Sequence, residues 1–217
     1  MSGYFFTFEG GEGAGKSTQI NIVGEFLKQK GYEVVVTREP GGTTGSEAIR
    51  YVLLSGNAQK MGRCFEAVLF AAARIDHINE VIAPALKQGK IVLCDRFIDS
   101  TRVYQGDEKD NNRCKLELLE KTAIVGYMPD ITFILDLPAK IGMARADKRR
   151  EKTVTVDRFE KDDLAVQEAR RQAFLEIAAA EPERCRVINA NRNIDEIAKD
   201  IEQITLNFLK RKNDAGN

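Results

Sequence analysis

The chain has no tryptophan, one histidine and four cysteines in 217 residues, and each shortage closes off a class of chemistry. With His77 as the lone imidazole, and Cys64, Cys94, Cys114 and Cys185 far apart, neither a zinc-finger spacing nor a C-x-x-C redox pair can be written. Isolated thiols predict a reducing compartment. The start, Met1-Ser2-Gly3, runs straight into a strand-like segment, and no apolar run nears the roughly 20 residues of a membrane span. Acidic and basic side chains balance at 33 each, so no global charge draws the chain to nucleic acid or to a membrane surface. Any polyanion must then be held by local charge. The expectation is a soluble, cytoplasmic protein with neither nucleic acid nor membrane as partner.

What is present is concentrated near the start. Tyr4-Phe5-Phe6-Thr7-Phe8 leads into Gly10-Gly11-Glu12-Gly13-Ala14-Gly15-Lys16-Ser17, which fits G-x-x-x-x-G-K-[ST] after a strand-like run. Glycines let successive backbone N–H groups turn inward around a polyphosphate. Lys16 reaches the β and γ phosphates as a point charge, and the Ser17 hydroxyl can ligate Mg²⁺. Thr18 continues into a helix whose N-terminus adds its dipole to the anion site. The pattern therefore predicts a nucleoside triphosphate on Gly10 to Thr18. A dinucleotide fingerprint is excluded, because its third glycine would fall on Lys16.

Apolar runs alternate between strand-like and helix-like along the chain, the βαβ pattern of a parallel sheet. We read strands at Tyr4–Glu9, Glu33–Thr37, Ile91–Asp95, Ile131–Asp136 and Arg186–Asn189. Helices are expected at Lys16–Lys30, Ser46–Ser55, Met61–Gln88, Lys115–Val125, Lys140–Lys148, Lys161–Ala180 and Asn193–Arg211. The predicted class is α/β, a three-layer fold with about five parallel strands flanked by helices. One domain spans residues 1–217.

In such sheets ligands lie beyond the carboxyl ends of the strands. After the third strand stand Asp95 and Arg96. Asp95 resembles a Walker B carboxylate and joins Ser17 as a Mg²⁺ ligand, unless it only caps the next helix. Arg96 can offer a bidentate fork to an acceptor phosphate, or form a surface ion pair. Arg38 precedes the stiff turn Pro40-Gly41-Gly42 and suits a phosphate oxygen, with an unliganded loop charge as the alternative. Phe70 and Arg74, four apart on one helix, could stack on and hydrogen-bond a nucleobase; the same spacing also suits core packing with a snorkelling arginine. Arg145, Lys148, Arg149, Arg150 and Lys152 form a basic cluster that could serve as a mobile lid at about residues 145–160, or be a solvated helix end. His77 and the cysteines are assigned to structure.

Taken in order, Phe8-Glu9-Gly10 with the phosphate loop, Thr37-Arg38-Glu39-Pro40-Gly41-Gly42-Thr43, Phe70-Ala71-Ala72-Ala73-Arg74, Asp95-Arg96 through Ser100-Thr101-Arg102-Val103-Tyr104-Gln105-Gly106, Pro129-Asp130, Leu135-Asp136-Leu137 and Asp157-Arg158-Phe159-Glu160 resemble the bacterial thymidylate kinases over nearly the whole chain. The resemblance implies a P-loop kinase fold and transfer of the γ-phosphoryl of ATP to dTMP with Mg²⁺, in the synthesis of dTTP. It implies that Phe70 stacks on thymine, that Arg74 bonds the base edge, and that Arg38 and Arg96 hold the acceptor phosphate. Ser100, Thr101 and Gln105 would complete the substrate contacts. Tyr104 would sit under the deoxyribose, and Glu9 would serve the sugar 3′-hydroxyl or the metal's water. The phosphate loop carries no arginine, so the family pattern puts the catalytic cation at Arg149 or Arg150 in the lid, beside Lys16, Asp95 and Arg96. Members pair as homodimers. Two departures stand out. Asp107-Glu108-Lys109-Asp110 replaces the glycines that commonly follow Tyr-Gln-Gly, and the lid is longer than usual. The competing readings are another P-loop nucleotide or deoxynucleoside kinase, a nucleotide-dependent switch, and a nucleic-acid-binding ATPase.

Overall fold

A computed structural model of the chain describes residues 3–56, 58–106, 113–124, 126–150 and 162–215. Five strands, β1 (Tyr4–Glu9), β2 (Val34–Arg38), β3 (Ile91–Asp95), β4 (Ile131–Asp136) and β5 (Cys185–Asn189), form one sheet in the order β2-β3-β1-β4-β5. All its pairings are parallel; Phe6 stands opposite Leu93 on one side and Ile131 on the other. β1 is central and its residues from Phe5 to Glu9 are buried. A strand covered on both faces reads as a near-continuous apolar run, which is why these strands are visible in the sequence.

Side chains alternate across the sheet and feed two separate cores. Phe6 and Phe8 of β1, Phe133 of β4 and Leu93 of β3 pack against α1 (Lys16–Gln29) and α9 (Ile194–Ala215) through Ile20, Val23, Leu27, Ile197 and Ile201. On the opposite face Phe5 and Val92 meet Ile78, Ile82 and Phe97, while Ile134 meets Phe174 of α8 (Leu164–Ala180) and Val103 of α5 (Ile98–Gln105). The three layers and the α/β class match the expectation. The remaining helices are α2 (Thr44–Leu54), α3 (Arg63–His77), α4 (Ala83–Lys87), α6 (Arg113–Ile124) and α7 (Ala139–Arg150).

Two expectations about helices are corrected. The single helix expected over Met61–Gln88 is interrupted: a 3₁₀ turn at Ala58–Met61 precedes α3, and a π-helical turn at Ile78–Ile82 separates α3 from α4. Pro84 has no N–H to give to the carbonyl four residues back, and the ladder widens where the Ala83 N–H reaches the Ile78 carbonyl instead. The second correction is α5, a helix where the sequence pattern predicts none. Its N-terminal N–H groups at Phe97 and Ser100 are capped by the Glu9 carboxylate from the end of β1, at 2.7 and 3.2 Å, with the Ser100 hydroxyl donating at 2.6 Å. A cap that lies 88 residues away leaves no local signature. The lid expected at about 145–160 falls largely outside the described residues, which omit 151–161; Arg149 and Arg150 end α7, and their side chains lie outside the description too.

Removing the Phe133 ring would empty the space between β1 and the α9 face, so Phe133→Ala is expected to cost about 3–5 kcal/mol in urea unfolding, against near-zero cost for a surface change. Glu9 supplies a second test. Burial, and then the nearby charge of Asp99, push its carboxyl up from the ordinary 4.5 to about 7. A raised folded value means that the folded state binds the proton more tightly. The associated stability is fully present below about pH 4.5 and is lost as pH rises through about 7. Glu9→Gln keeps the hydrogen-bonding shape without the proton. Wild type is therefore expected to lose on the order of 2–3 kcal/mol relative to this variant between pH 5 and pH 8. A difference in unfolding free energy that stays constant over that range would show that Glu9 titrates at its ordinary value.

Candidate active site

The phosphate loop bridges β1 and α1 and takes its shape from two glycines that touch. A Cβ on Gly13, where φ is +67°, would lie 2.1 Å from the Gly142 carbonyl of α7, and a Cβ on Gly142 would lie 2.2 Å from the Glu12 carbonyl. The loop is thereby clamped onto α7 at a distance that no side chain permits. Gly15 caps α1 and brings no side-chain acceptor, whereas Thr43 and Asp163 cap α2 and α8 with their own oxygens. The first N–H groups of α1 are thus left for an anion. Lys16 is buried and curls across the loop, its Nζ donating to the carbonyls of Gly10 and Gly11 at 3.0 Å each. Burial, and then the neighbouring Arg96 charge, hold its pKa below the ordinary lysine value. The Ser17 hydroxyl donates to Asp95 Oδ2 at 2.6 Å, so the two groups assigned to a metal stand side by side at the loop mouth.

Arg96 adopts a left-handed backbone, φ +66°, the lone non-glycine residue to do so among the described residues. That conformation is costly for a side chain and persists only where its surroundings dictate it. Here it turns the guanidinium back over the loop. Nη1 donates to the Gly10 carbonyl (3.3 Å) and the Ser100 hydroxyl (3.2 Å), and Nη2 to Glu12 Oε1 at 2.7 Å. Burial opposes the charge, but Tyr104, Glu12, Asp95 and Glu9 hold the Arg96 proton above the ordinary arginine range. The guanidinium also lies 5.2 Å from the centre of the Tyr104 ring.

Between α3, α5 and the turn after β2 the protein encloses a cavity of about 300 Å³ that opens onto the phosphate loop. It is lined by the expected loop residues Gly13, Ala14, Gly15, Lys16, Ser17 and Thr18, with Glu12, and by Asp95 and Arg96. The expected acceptor residues line it too: Arg38, Phe70, Arg74, Ser100, Thr101, Tyr104 and Gln105. Glu9 does not line the cavity. Both of its oxygens are spent on α5, and it shapes the wall from behind. Gly10 and Gly11 contribute their carbonyls to Lys16 without facing the cavity. Gln105 Nε2 is buried with no hydrogen-bond partner among the described residues. The segment 189–193 at the end of β5 does not line this cavity.

Arg74 is not a snorkelling arginine. It is 2% exposed, donates through Nε to Glu39 Oε2 at 2.8 Å, and through Nη2 to the Phe97 carbonyl and the Thr101 hydroxyl at 3.1 and 3.0 Å, with Nη2 also 2.7 Å from Glu39 Oε2 in the same ion pair. Arg38, more than half exposed, donates to Glu47 Oε1 at 2.7 Å, an oxygen that also receives the Gly42 N–H. Sequence reasoning assigned no role to Glu39, Arg50 or Leu54, although all three line the cavity; Glu12, expected with the phosphate loop, lines it as well. For Glu39 a signal existed in its place between Arg38 and Pro40, but nothing local shows that its carboxylate turns inward. Arg50 donates to the Pro40 carbonyl at 2.8 Å and braces the turn, and no pattern in α2 sets it apart from a surface arginine.

The comparisons agree with this geometry. The sequence model of the family described as thymidylate kinase matches residues 8–201. The chain is 59% identical over 204 residues to a thymidylate kinase of Bartonella quintana (strain Toulouse), covering 94% of this chain and 95% of that one. It is 57% identical over 205 residues to the thymidylate kinase of Bartonella henselae, again covering 94% and 95%. The crystal structure of thymidylate kinase from Ehrlichia chaffeensis superposes with a TM-score of 0.74 at 33% identity, over 94% of this chain and all of that one. A phosphate loop, a paired Ser17–Asp95 and an arginine-lined cavity meet on one sheet edge, and the sequence agrees along its length: the chain belongs to the thymidylate kinase family.

Proposed function

We propose that the cleft carries the phosphates of ATP on the loop and dTMP between α3 and α5, and that the γ-phosphoryl passes from one to the other, giving ADP and dTDP. The chain is then a thymidylate kinase in its own right. The observation that carries the reading is the place of Arg96. One guanidinium touches the phosphate-loop carbonyl of Gly10 and the Ser100 hydroxyl of the acceptor wall, so a single cation stands where donor and acceptor phosphates must converge.

The chemistry asks little of a base, because a phosphate monoester is already nucleophilic. It asks for two polyanions in line and for positive charge around the transferring group. Lys16 and the α1 N-terminus hold the donor phosphates. Arg38 and Arg96 receive the acceptor phosphate, each exchanging a carboxylate partner for it. Phe70 offers a face to the base, Thr101 and Gln105 its polar contacts, and Tyr104 the floor beneath the sugar. Ser17 and Asp95 form a donor set that fits Mg²⁺, an ion that keeps waters and substrate phosphates around it and needs only one or two protein oxygens. When bound, the ion would neutralise charge shared between the donor phosphates. The last cation is assigned to the lid. Arg149 and Arg150, whose side chains lie outside the described residues, are the candidates because the phosphate loop has no arginine of its own.

We read the chain as one kinase domain acting in the cytoplasm as a homodimer. No helix among the described residues is long and apolar enough to cross a membrane. Tyr51 of α2 and Leu118 of α6 are 77% and 65% exposed and Val68 of α3 is 43% exposed, on three helices of which α3 packs against both others. These exposed apolar side chains fit burial against a second copy of the chain. Another acceptor, or a nucleotide switch, is not favoured by these relatives.

A coupled ADP-release assay with ATP and Mg²⁺ is expected to show turnover with dTMP and little with dUMP, dCMP or thymidine. Lys16→Ala and Arg96→Ala are each expected to lower it by about 10³-fold or more while circular dichroism keeps the native signature. Either variant near full activity, or a wild type that no monophosphate accelerates, would remove the kinase reading.

A further inference from the structure

The single histidine of the chain is wholly buried at the end of α3, and its two ring nitrogens are both engaged. Nε2 lies 2.7 Å from the Thr37 hydroxyl of β2, and Nδ1 lies 3.1 Å from Glu39 Oε1. The other oxygen of the same carboxylate, Oε2, accepts from Arg74 Nε and forms the ion pair with its guanidinium. A carboxylate only accepts, so Nδ1 carries a proton whichever charge the ring has. The ring also has no room to leave. A Cβ on Gly42 would stand 2.8 Å from His77 Nε2 and 2.7 Å from the Thr37 hydroxyl, so the turn after β2 closes directly over the pair. Thr37, half-buried, and the buried His77, Glu39, Arg74 and Thr101 thus form a continuous relay from the edge of the sheet to the cavity wall.

Within this relay Glu39 is the hinge. Arg74 alone would leave one carboxylate oxygen unpartnered in a site that is about 6% exposed, and a buried charge held on one side is poorly fixed. His77 supplies the second hold. Resting on the dTMP kinase reading above, we infer that His77 is a positioning residue of the acceptor site: by anchoring Glu39 it sets where the Arg74 guanidinium stands against the acceptor base. It touches no substrate. Its effect falls on acceptor binding, and the ATP side, built on the phosphate loop and α1, is left alone.

Two conservative changes separate the ring's two contacts. In His77→Asn the side-chain amide nitrogen branches where the ring's Nδ1 does, so this variant keeps the bond to Glu39 and gives up Thr37. His77→Gln places its amide where Nε2 was, keeping Thr37 and giving up Glu39. Steady-state kinetics on the full-length enzyme, with melting temperatures for each variant, would read the result. His77→Gln is expected to raise KM for dTMP about tenfold, the worth of one hydrogen bond to a charged group, with kcat and KM for ATP within about twofold of wild type. His77→Asn is expected to keep KM for dTMP within about threefold. Because the chain holds one histidine, imidazole nitrogen spectra are unambiguous, and Glu39→Gln should shift the Nδ1 signal while leaving Nε2 nearly in place. Equal KM values in wild type and His77→Gln, losses in both variants that simply follow the fall in melting temperature, or an Nδ1 signal indifferent to Glu39→Gln would each overturn the inference. A wild type without dTMP-dependent turnover would instead remove the kinase reading, and this inference with it.

Discussion

Positive charge in an enclosed cleft must be held before its ligand arrives, and here carboxylates hold it. Arg96 is paired with Glu12, Arg74 with Glu39 and Arg38 with Glu47. Without these partners three guanidiniums facing one small cavity would repel one another and fold the wall outward. With them the site exists in its working shape at rest, so an arriving phosphate meets oriented donors and little has to be reorganised during transfer. The pairs are not equivalent. Arg38 and Glu47 are about half exposed, where an ion pair is worth little and is easily exchanged for a phosphate. Arg74 and Glu39 are almost wholly buried, and a pair so placed is fixed by the cost of leaving either member alone. The exposed arginine suits the charge that comes and goes; the buried one suits the part of the substrate that must be recognised by shape.

The sheet order explains why so few elements suffice. β1 is flanked by β3 and β4, with β2 beside β3, and in a parallel sheet all the carboxyl ends share one edge. The phosphate loop, the Thr37–Thr43 turn and the Asp95–Arg96 corner therefore converge without any long connection. The Glu39 N–H donates to the Asp95 carbonyl at 2.9 Å, and the Arg96 N–H to the Phe8 carbonyl at 3.0 Å, so the three strand ends continue to bond one another past the strands themselves. Displacement of one end would be felt at the other two.

That edge was legible from residue types, and what lay behind it was not. Strands buried on both faces announce themselves by unbroken apolar runs, and the phosphate loop by glycines that its backbone cannot do without. Every expected residue that faces the cavity carried either such a backbone demand or a place in one of the family's motifs. Glu39 was read only as a member of the turn motif after β2, His77 as structural, and Glu9 as a ligand contact. Their meaning lies in partners 88, 35 and 40 residues away, Phe97 for Glu9, Arg74 for Glu39 and Thr37 for His77, and a local pattern holds no record of contacts at that range. The same reason hid α5: eight residues with Asp99, Ser100 and Thr101 in the first turn are weak helix formers, and the cap that makes them a helix comes from another strand.

On the proposed reading, the donor and acceptor halves of the cleft are built on different principles. A polyphosphate there would meet main-chain N–H groups and a helix terminus, so the donor half is a matter of backbone shape, and the Gly13–Gly142 contact locks that shape with no side chain at all. A nucleobase must be told from its relatives by directional donors and by fit, so the acceptor half is made of side chains whose positions depend on further side chains. Arg96 belongs to both. Its strained backbone belongs to the corner that closes on the loop, and its guanidinium reaches the acceptor wall through Ser100. Strain at that residue is the cost of having one cation serve two halves that are otherwise built independently, and it is borne at the one point where phosphoryl transfer requires them to meet.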